Sequence, residues 1–227
     1  MQVSIIIPTL NEELTIGNLI DRLQATSLKM GISHEIIVID DGSDDSSAGI
    51  SQSRGAKVYS LRTHMGKGYA LRAGFAKARG EIVATIDSDG SHRPEELPQL
   101  LTPILRDQAD LVIGSRFSAE KRGPGKRLNA AGVRIFNVLV RILTGAEVSD
   151  SQSGFRAIKT VVLKNLDLES EEYEIESEML VKTVRQRFRV REVPISFNQR
   201  TYGVSRLDPI VDGFKILLSI LTSFLKG

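Results

Sequence analysis

Apolar, β-rich runs alternating with amphipathic segments predict an α/β fold, a mainly parallel sheet flanked by helices on both faces. Three observations carry this reading. Short apolar runs at 3–7, 35–39, 57–61, 81–86 and 110–116 are spaced by helix-like stretches. The acidic turns all fall after such runs, so they gather along one sheet edge. Most pointedly, Ile82-Val83-Ala84-Thr85-Ile86 stops in Asp87-Ser88-Asp89, and the carboxyl ends of strands are where open α/β sheets bind ligands.

The elements follow in order. Residues 3–7 read as a buried strand stopped by Pro8, then an amphipathic helix to about Leu23, for which Thr9 or Asn11 is a candidate cap. The second strand, 35–39, ends in Asp40-Asp41-Gly42-Ser43, with a polar helix from about Ser46. A short strand at 57–61 precedes a helix at 66–78, opened by His64-Met65-Gly66-Lys67-Gly68. After the strand at 81–86, Pro94 starts a helix to about Arg106, and 110–116 is the fifth strand. The second half opens with a basic Gly/Pro-containing loop at 118–127 and an amphipathic helix at 128–143. A polar turn, Asp150-Ser151-Gln152-Ser153-Gly154-Phe155-Arg156, enters a short strand; a helix at 174–187, a strand at 190–195, a second basic loop at 198–206 and an apolar C-terminal helix complete the chain.

The 227 residues suit one domain with a substantial core. A formal charge of +2 argues neither for nor against nucleic acid, and the reading below needs no nucleic-acid partner. The absence of Cys removes disulfides, thiolate catalysis and Cys-based zinc sites, and is compatible with a reducing cytosol. His34, His64 and His92 have no zinc-motif spacing. No signal peptide is expected before residue 3, and no run has the length of a membrane span.

Asp87 and Asp89 are expected to project to one side of an extended backbone. With Ser91 and waters they would suit Mg²⁺ or Mn²⁺, not a nitrogen- and sulfur-seeking zinc ion. The plain alternative is two solvated aspartates capping the next helix. Asp40 can accept from ribose hydroxyls or a base N–H, or simply shape a turn. Lys67, between two glycines at a helix start, can approach phosphate or be a solvated surface lysine. Neither a P-loop nor a Gly-x-Gly-x-x-Gly is present. His92 reads as a helix-start residue, not a ligand.

Pro8-Thr9-Leu10-Asn11-Glu12, Asp40-Asp41-Gly42-Ser43, Gly66-Lys67-Gly68, Asp87-Ser88-Asp89, Gly114-Ser115-Arg116 and Ser153-Gly154-Phe155-Arg156 occur in the order seen in family 2 glycosyltransferases of GT-A fold. The chain most resembles dolichol-phosphate mannose synthases and related polyprenyl-phosphate sugar transferases, over nearly its whole length. The segment Arg200-Thr201-Tyr202-Gly203-Val204-Ser205-Arg206 is similar to that subgroup's Arg-x-x-Gly-x-Ser-Lys stretch, with Arg206 in place of Lys. The family's Asp-Ala-Asp-Leu-Gln-His appears as Asp87-Ser88-Asp89-Gly90-Ser91-His92, which puts a third protein ligand to the metal in doubt.

The resemblance implies a single GT-A domain over 1–227, with 1–116 for the nucleotide sugar and 117–227 for the acceptor. Pro8, Asn11, Glu12, Asp40, Lys67 and Ser88 would line the donor pocket. Asp87 and Asp89, with Ser91, would hold the metal. Arg116, Arg127, Ser153, Arg200 and Arg206 would meet donor or acceptor phosphates, with Asp89, Arg116 and Arg200 closest to the chemistry. It implies inverting transfer of a hexose, mannose from GDP-mannose first, to a dolichyl or polyprenyl phosphate by an enzyme working at the cytoplasmic membrane surface. A homo-oligomer or a membrane-subunit partner fits the apolar faces of 128–143 and 208–225. Rival readings are another donor such as UDP-glucose, a non-lipid acceptor, and a non-catalytic sugar-nucleotide-binding module. Asp150 and Glu176 are candidate orienting groups.

Overall fold

The computed structural model describes residues 2–117, 127–198, 200, 208 and 210–226, with only the backbone of 127–131 and 226. Its frame is a seven-stranded sheet: β1 (Gln2–Thr9), β2 (Ser33–Asp40), β3 (Lys57–Ser60), β4 (Ile82–Thr85), β5 (Leu111–Ser115), β6 (Arg156–Lys159) and β7 (Val190–Pro194). The order is β3-β2-β1-β4-β6-β5-β7. β1 pairs parallel with β2 and β4, β2 with β3, and β5 with β7; β6 is antiparallel to both β4 and β5.

Helices cover both faces because the strands are apolar on both sides. Along β1, Val3, Ile5 and Ile7 pack beneath α1 (Ile16–Lys29) and α4 (Leu97–Leu105). Ile6 and its counterparts Ile37, Ile39 and Val83 turn the other way. There they meet α3 (Lys67–Lys77), α5 (Arg127–Thr144), α7 (Ile175–Arg185) and α8 (Val211–Lys226). This is the period-2 alternation of a strand buried on both faces. The remaining helices are α2 (Ser47–Ser53) and α6 (Thr160–Leu163).

The element expectations hold with several corrections. α1 runs past Leu23 to Lys29, because Thr26 and Ser27 are buried and the chain turns only at Gly31, with φ 62°. Thr15 is its N-cap position, so neither Thr9 nor Asn11 caps it. The third strand ends at Ser60, and α6 was not foreseen. The Pro94 segment opens as a 3-10 turn before α4. Among the described residues, no helix is long and apolar enough to cross a membrane.

Candidate active site

The carboxyl ends of β1, β2, β4 and β5 reach one edge of the sheet. The reversed β6 brings its amino end there too, which delivers residues 150–155 to the same place. The loops after β1 and β2 are interlocked. Asn11, at φ 55°, donates its N–H to Ser43 Oγ and accepts Asp44 N–H on Oδ1 at 2.8 Å. Glu12 N–H reaches Ser47 Oγ, and Ser43 N–H reaches Asp40 Oδ1. Asn11 and Asp40 therefore shape the pocket wall through their side chains. Ser88 Oγ donates to the Pro8 carbonyl, tying the loop after β4 to that wall.

Asp41, which sequence reasoning passed over, is buried and collects three donors: Met65 N–H, Gly66 N–H and His64 Nδ1 at 2.7 Å. It fixes the approach to α3. Gly66 has φ 99°, and a Cβ there would collide with the Glu171 carbonyl oxygen; one on Gly68 would lie 2.6 Å from the Ser170 carbonyl oxygen. The two glycines thus serve the packing of segment 170–172 against α3.

Lys67 itself points inward. Its Nζ is 2.7 Å from Asp87 Oδ1 and 2.8 Å from Glu176 Oε1. Burial pulls the ammonium's pKa down, but the two carboxylates outweigh it and the net shift is upward. Burial would likewise raise Asp87, yet Lys67 and His92 hold its carboxyl far below the usual carboxylate range. His92 is buried between Phe155 and Phe197, with Nε2 3.4 Å from Asp87 Oδ2. It forms a β-bridge with Phe197 ahead of the Pro94 turn, so it is part of the site's floor and not a helix start. A Cβ on Gly154 would sit 2.5 Å from Asp87 Oδ2, so the bare backbone of that glycine makes room for the carboxylate.

Asp89 faces elsewhere. β4 ends at Thr85, so the extended-backbone premise for Asp87 and Asp89 does not hold. Asp89 Oδ1 accepts from Ser91 N–H at 3.0 Å and Ser91 Oγ at 2.6 Å, and its Oδ2 is 4.0 Å from an Arg200 nitrogen. Arg200 also pairs with Glu12. Burial, aided by Asp89, pushes the Glu12 carboxyl up despite Arg200.

Arg116 forks onto the fully buried Asp150, Nε to Oδ2 at 2.7 Å and Nη2 to Oδ1 at 2.8 Å, with its guanidinium over the ring of Phe197. Asp150 N–H is held in turn by Glu192. Ser153 is buried. Arg156, also unforeseen as a site element, is fully buried and donates to the carbonyls of Ser153, Ser151 and Glu176. Burial lowers its guanidinium pKa to about 10, which leaves it cationic at neutral pH. Arg206 and the side chain of Arg127 lie outside the described residues.

The donor chemistry suits a hard divalent cation, with carboxylates at 87 and 89 and a hydroxyl at 91. Among the described residues no three carboxylate or imidazole groups are placed together as metal ligands. Such a cation would take one or two oxygens from the chain and the rest from phosphate and water, the usual pattern for Mg²⁺.

A sheet of this order with its acidic turns on one edge is the GT-A fold of nucleotide-sugar-dependent glycosyltransferases, and solved members superpose on it. Glucosyl-3-phosphoglycerate synthase from Mycobacterium tuberculosis, in complex with Mn²⁺, UDP and phosphoglyceric acid, matches with a TM-score of 0.77 at 26% identity, over 98% of this chain and 78% of that one. The family follows from the sequence: residues 4–167 match the model for Glycosyl transferase family 2, and the chain belongs to that family. It is similar to the undecaprenyl-phosphate mannosyltransferase of Micrococcus luteus, 34% identical over 91% of this chain and 88% of the relative. It is also similar to the UDP-N-acetylglucosamine–dolichyl-phosphate N-acetylglucosaminyltransferase of Methanococcus voltae, 30% identical over 96% of this chain and 94% of the relative. These relatives place it in the polyprenyl-phosphate sugar-transferase subgroup.

Proposed function

We propose that this glycosyltransferase moves a hexose, with GDP-mannose as the first donor to test, onto a polyprenyl or dolichyl phosphate at a membrane surface. The observation that carries the acceptor is an apolar face. Ile135, Val138 and Ile142 on α5 and Phe214, Leu218 and Leu225 on α8 all point into solvent, while Val140, Ile216 and Ile220 of the same helices are buried in the core. The two helices pack on one another, and in the sequence the basic stretches 118–127 and 198–206 come ahead of them. An amphipathic helix pair of this kind suits the interfacial zone of a bilayer. The mannosyl and N-acetylglucosaminyl transferases named above use lipid phosphates by their names, which supports the same acceptor class.

The donor is read against the edge at β1, β2 and β4, in the half 1–116. The wall built by Pro8, Asn11 and Asp40 takes the nucleoside, with Glu12 and Ser88 beside it. Asp87 and Asp89 would hold Mg²⁺ or Mn²⁺ together with the diphosphate, and Ser91 orients Asp89 through its hydroxyl. When bound, the cation supplies Lewis-acid stabilisation of the departing nucleoside diphosphate. Arg200, already against Glu12 and Asp89, presents a guanidinium fork to phosphate oxygens. Arg116, set by Asp150, keeps positive charge next to the reacting centre, and Arg127, Ser153 and Arg206 complete the acceptor side in 117–227. A phosphate monoester with a second pKa of roughly 6 is a dianion near neutral pH. It attacks the anomeric carbon without a strong general base, and one displacement inverts that centre. The buried Glu176 and Asp150 are each engaged with a cation, so they orient Lys67 and Arg116 and are not called on as a base.

The test is a panel of sugar nucleotides with a C55 or shorter prenyl phosphate, with and without Mg²⁺ or Mn²⁺. Metal-dependent formation of prenyl-phosphate hexose supports the proposal. Transfer only to a small soluble acid, such as the phosphoglyceric acid bound in the mycobacterial structure, would replace the acceptor. Nucleotide binding without turnover on any acceptor would reduce the chain to a binding module.

A further inference from the structure

Two carboxylates from different elements converge on the Lys67 ammonium: Asp87 at 2.7 Å and Glu176 at 2.8 Å. The ring of Tyr173 closes a third side, its centroid 5.9 Å from Nζ. The root of this side chain is immobile. Gly66 and Gly68 are packed against the backbone of 170–172, and Tyr69 N–H donates to the Glu171 carbonyl at 3.0 Å. The lysine's backbone cannot follow a ligand, but its four-carbon stem can turn. Asp87 is also confined, by the backbone of Gly154 and by buried His92. The carboxylate keeps its place, then, and what changes on ligand binding is its counter-ion.

With Asp87 Oδ2 facing His92, an ammonium on Oδ1 competes with an incoming divalent cation for the remaining oxygen, and the two positive charges repel strongly at such range. Cation and lysine therefore exclude one another from Asp87. A diphosphate arriving with the cation offers Nζ new oxygens within the reach of a turned stem. We propose that Lys67 is an exchangeable counter-ion, holding Asp87 in the empty enzyme and passing to the donor's diphosphate when a divalent cation takes its place. This rests on the reading of Asp87 and Asp89 as holders of a metal diphosphate. Its consequence is coupling: the cation binds weakly alone and tightly with the nucleotide, and each raises the other's affinity equally.

The test titrates the whole enzyme with Mn²⁺, following the free-ion electron paramagnetic resonance signal, with no nucleotide and then with saturating GDP or UDP. In Lys67→Met, Mn²⁺ alone is expected to bind about tenfold tighter than in wild type, while the nucleotide binds more weakly and the mutual enhancement shrinks. Lys67→Arg retains a cation and is expected to keep weak binding of Mn²⁺ alone. Adding Asp87→Asn to Lys67→Met should erase the gain. A lysine with a merely structural role would lose affinity for Mn²⁺ both with and without nucleotide. No gain in K67M, or a gain that survives the Asp87 change, overturns the proposal. Should K67M not fold, wild type decides: an enhancement of Mn²⁺ binding by nucleotide below about threefold overturns it. Wild type that binds no Mn²⁺ even with nucleotide overturns the underlying metal reading, which is a different result from normal co-binding that is indifferent to Lys67.

Discussion

Asp87 and Asp89 stand two residues apart and live in different surroundings. Asp87 lies on the bare backbone of Gly154, neutralised by a lysine rooted in a packed helix start and flanked by a buried imidazole. Asp89 sits in a turn, held by its neighbour Ser91 and approached by Arg200 from the far end of the chain. One carboxylate has its place fixed by the interior; the other keeps company that a ligand can replace. On the proposed reading, these two carboxylates of one motif divide the work, one as a fixed post and the other as the adaptable contact.

The sharpest attack on this contrast is Asp89→Ala. It removes the adaptable carboxylate and should cut sugar transfer by about a thousandfold, in line with several kcal/mol of lost charge stabilisation. The melting temperature should hardly move. Retained transfer in a radiolabelled-lipid assay would break the division of roles. Next in size, Arg156→Met removes the guanidinium that ties the 151–153 turn to α7. It leaves three buried carbonyls without their donor, and should cost about 3 kcal/mol or more in urea unfolding. Gly154→Ala drives a methyl into Asp87. It should cost about 1–3 kcal/mol through overpacking and lower transfer as well, whereas an indifferent enzyme would show that Asp87 is not fixed. Arg200→Ala should lower kcat/KM for the donor by about ten- to a hundredfold, and it also takes the cation away from the buried Glu12 carboxylate.

The smallest effect lies away from the site. Burial would raise the Glu35 carboxyl, but Lys57, Ser4 Oγ and Arg79 N–H together hold it below its ordinary value. A depressed folded pKa means stability that is present above the ordinary glutamate range and lost as pH falls through the folded value. Glu35→Gln should therefore flatten the acid limb of a stability-versus-pH curve and leave transfer unchanged. A curve identical to wild type would remove this link.

The sheet was readable because β1, β2, β4 and β5 are continuous apolar runs and the acidic turns after β2 and β4 mark one edge. The antiparallel insertion of β6 was not, since strand direction is set by pairing partners far apart in the chain. Asn11 looked like a helix cap because a cap is judged from neighbours in sequence. Its actual partners, Ser43 and Asp44, come from the next loop. The glycines around Lys67 make room for segment 170–172, about a hundred residues downstream, which nothing local in the sequence shows. His92 carried a usable clue, its fixed distance from the acidic pair, yet nothing local shows that Phe155 and Phe197 will bury it.

The reversed strand has an architectural consequence. Since β6 enters the ligand edge head first, the excursion from Phe117 to Ser149 leaves and returns at the same rim of the molecule. Within it α5 is held by Val140 in the core and by Asn137 on Ser149 and Ser151, so change is easiest in the sequence ahead of that helix. On the proposed reading of 117–227 as the acceptor side, a lineage that edits that sequence reshapes what it glycosylates and inherits the edge for the activated sugar intact.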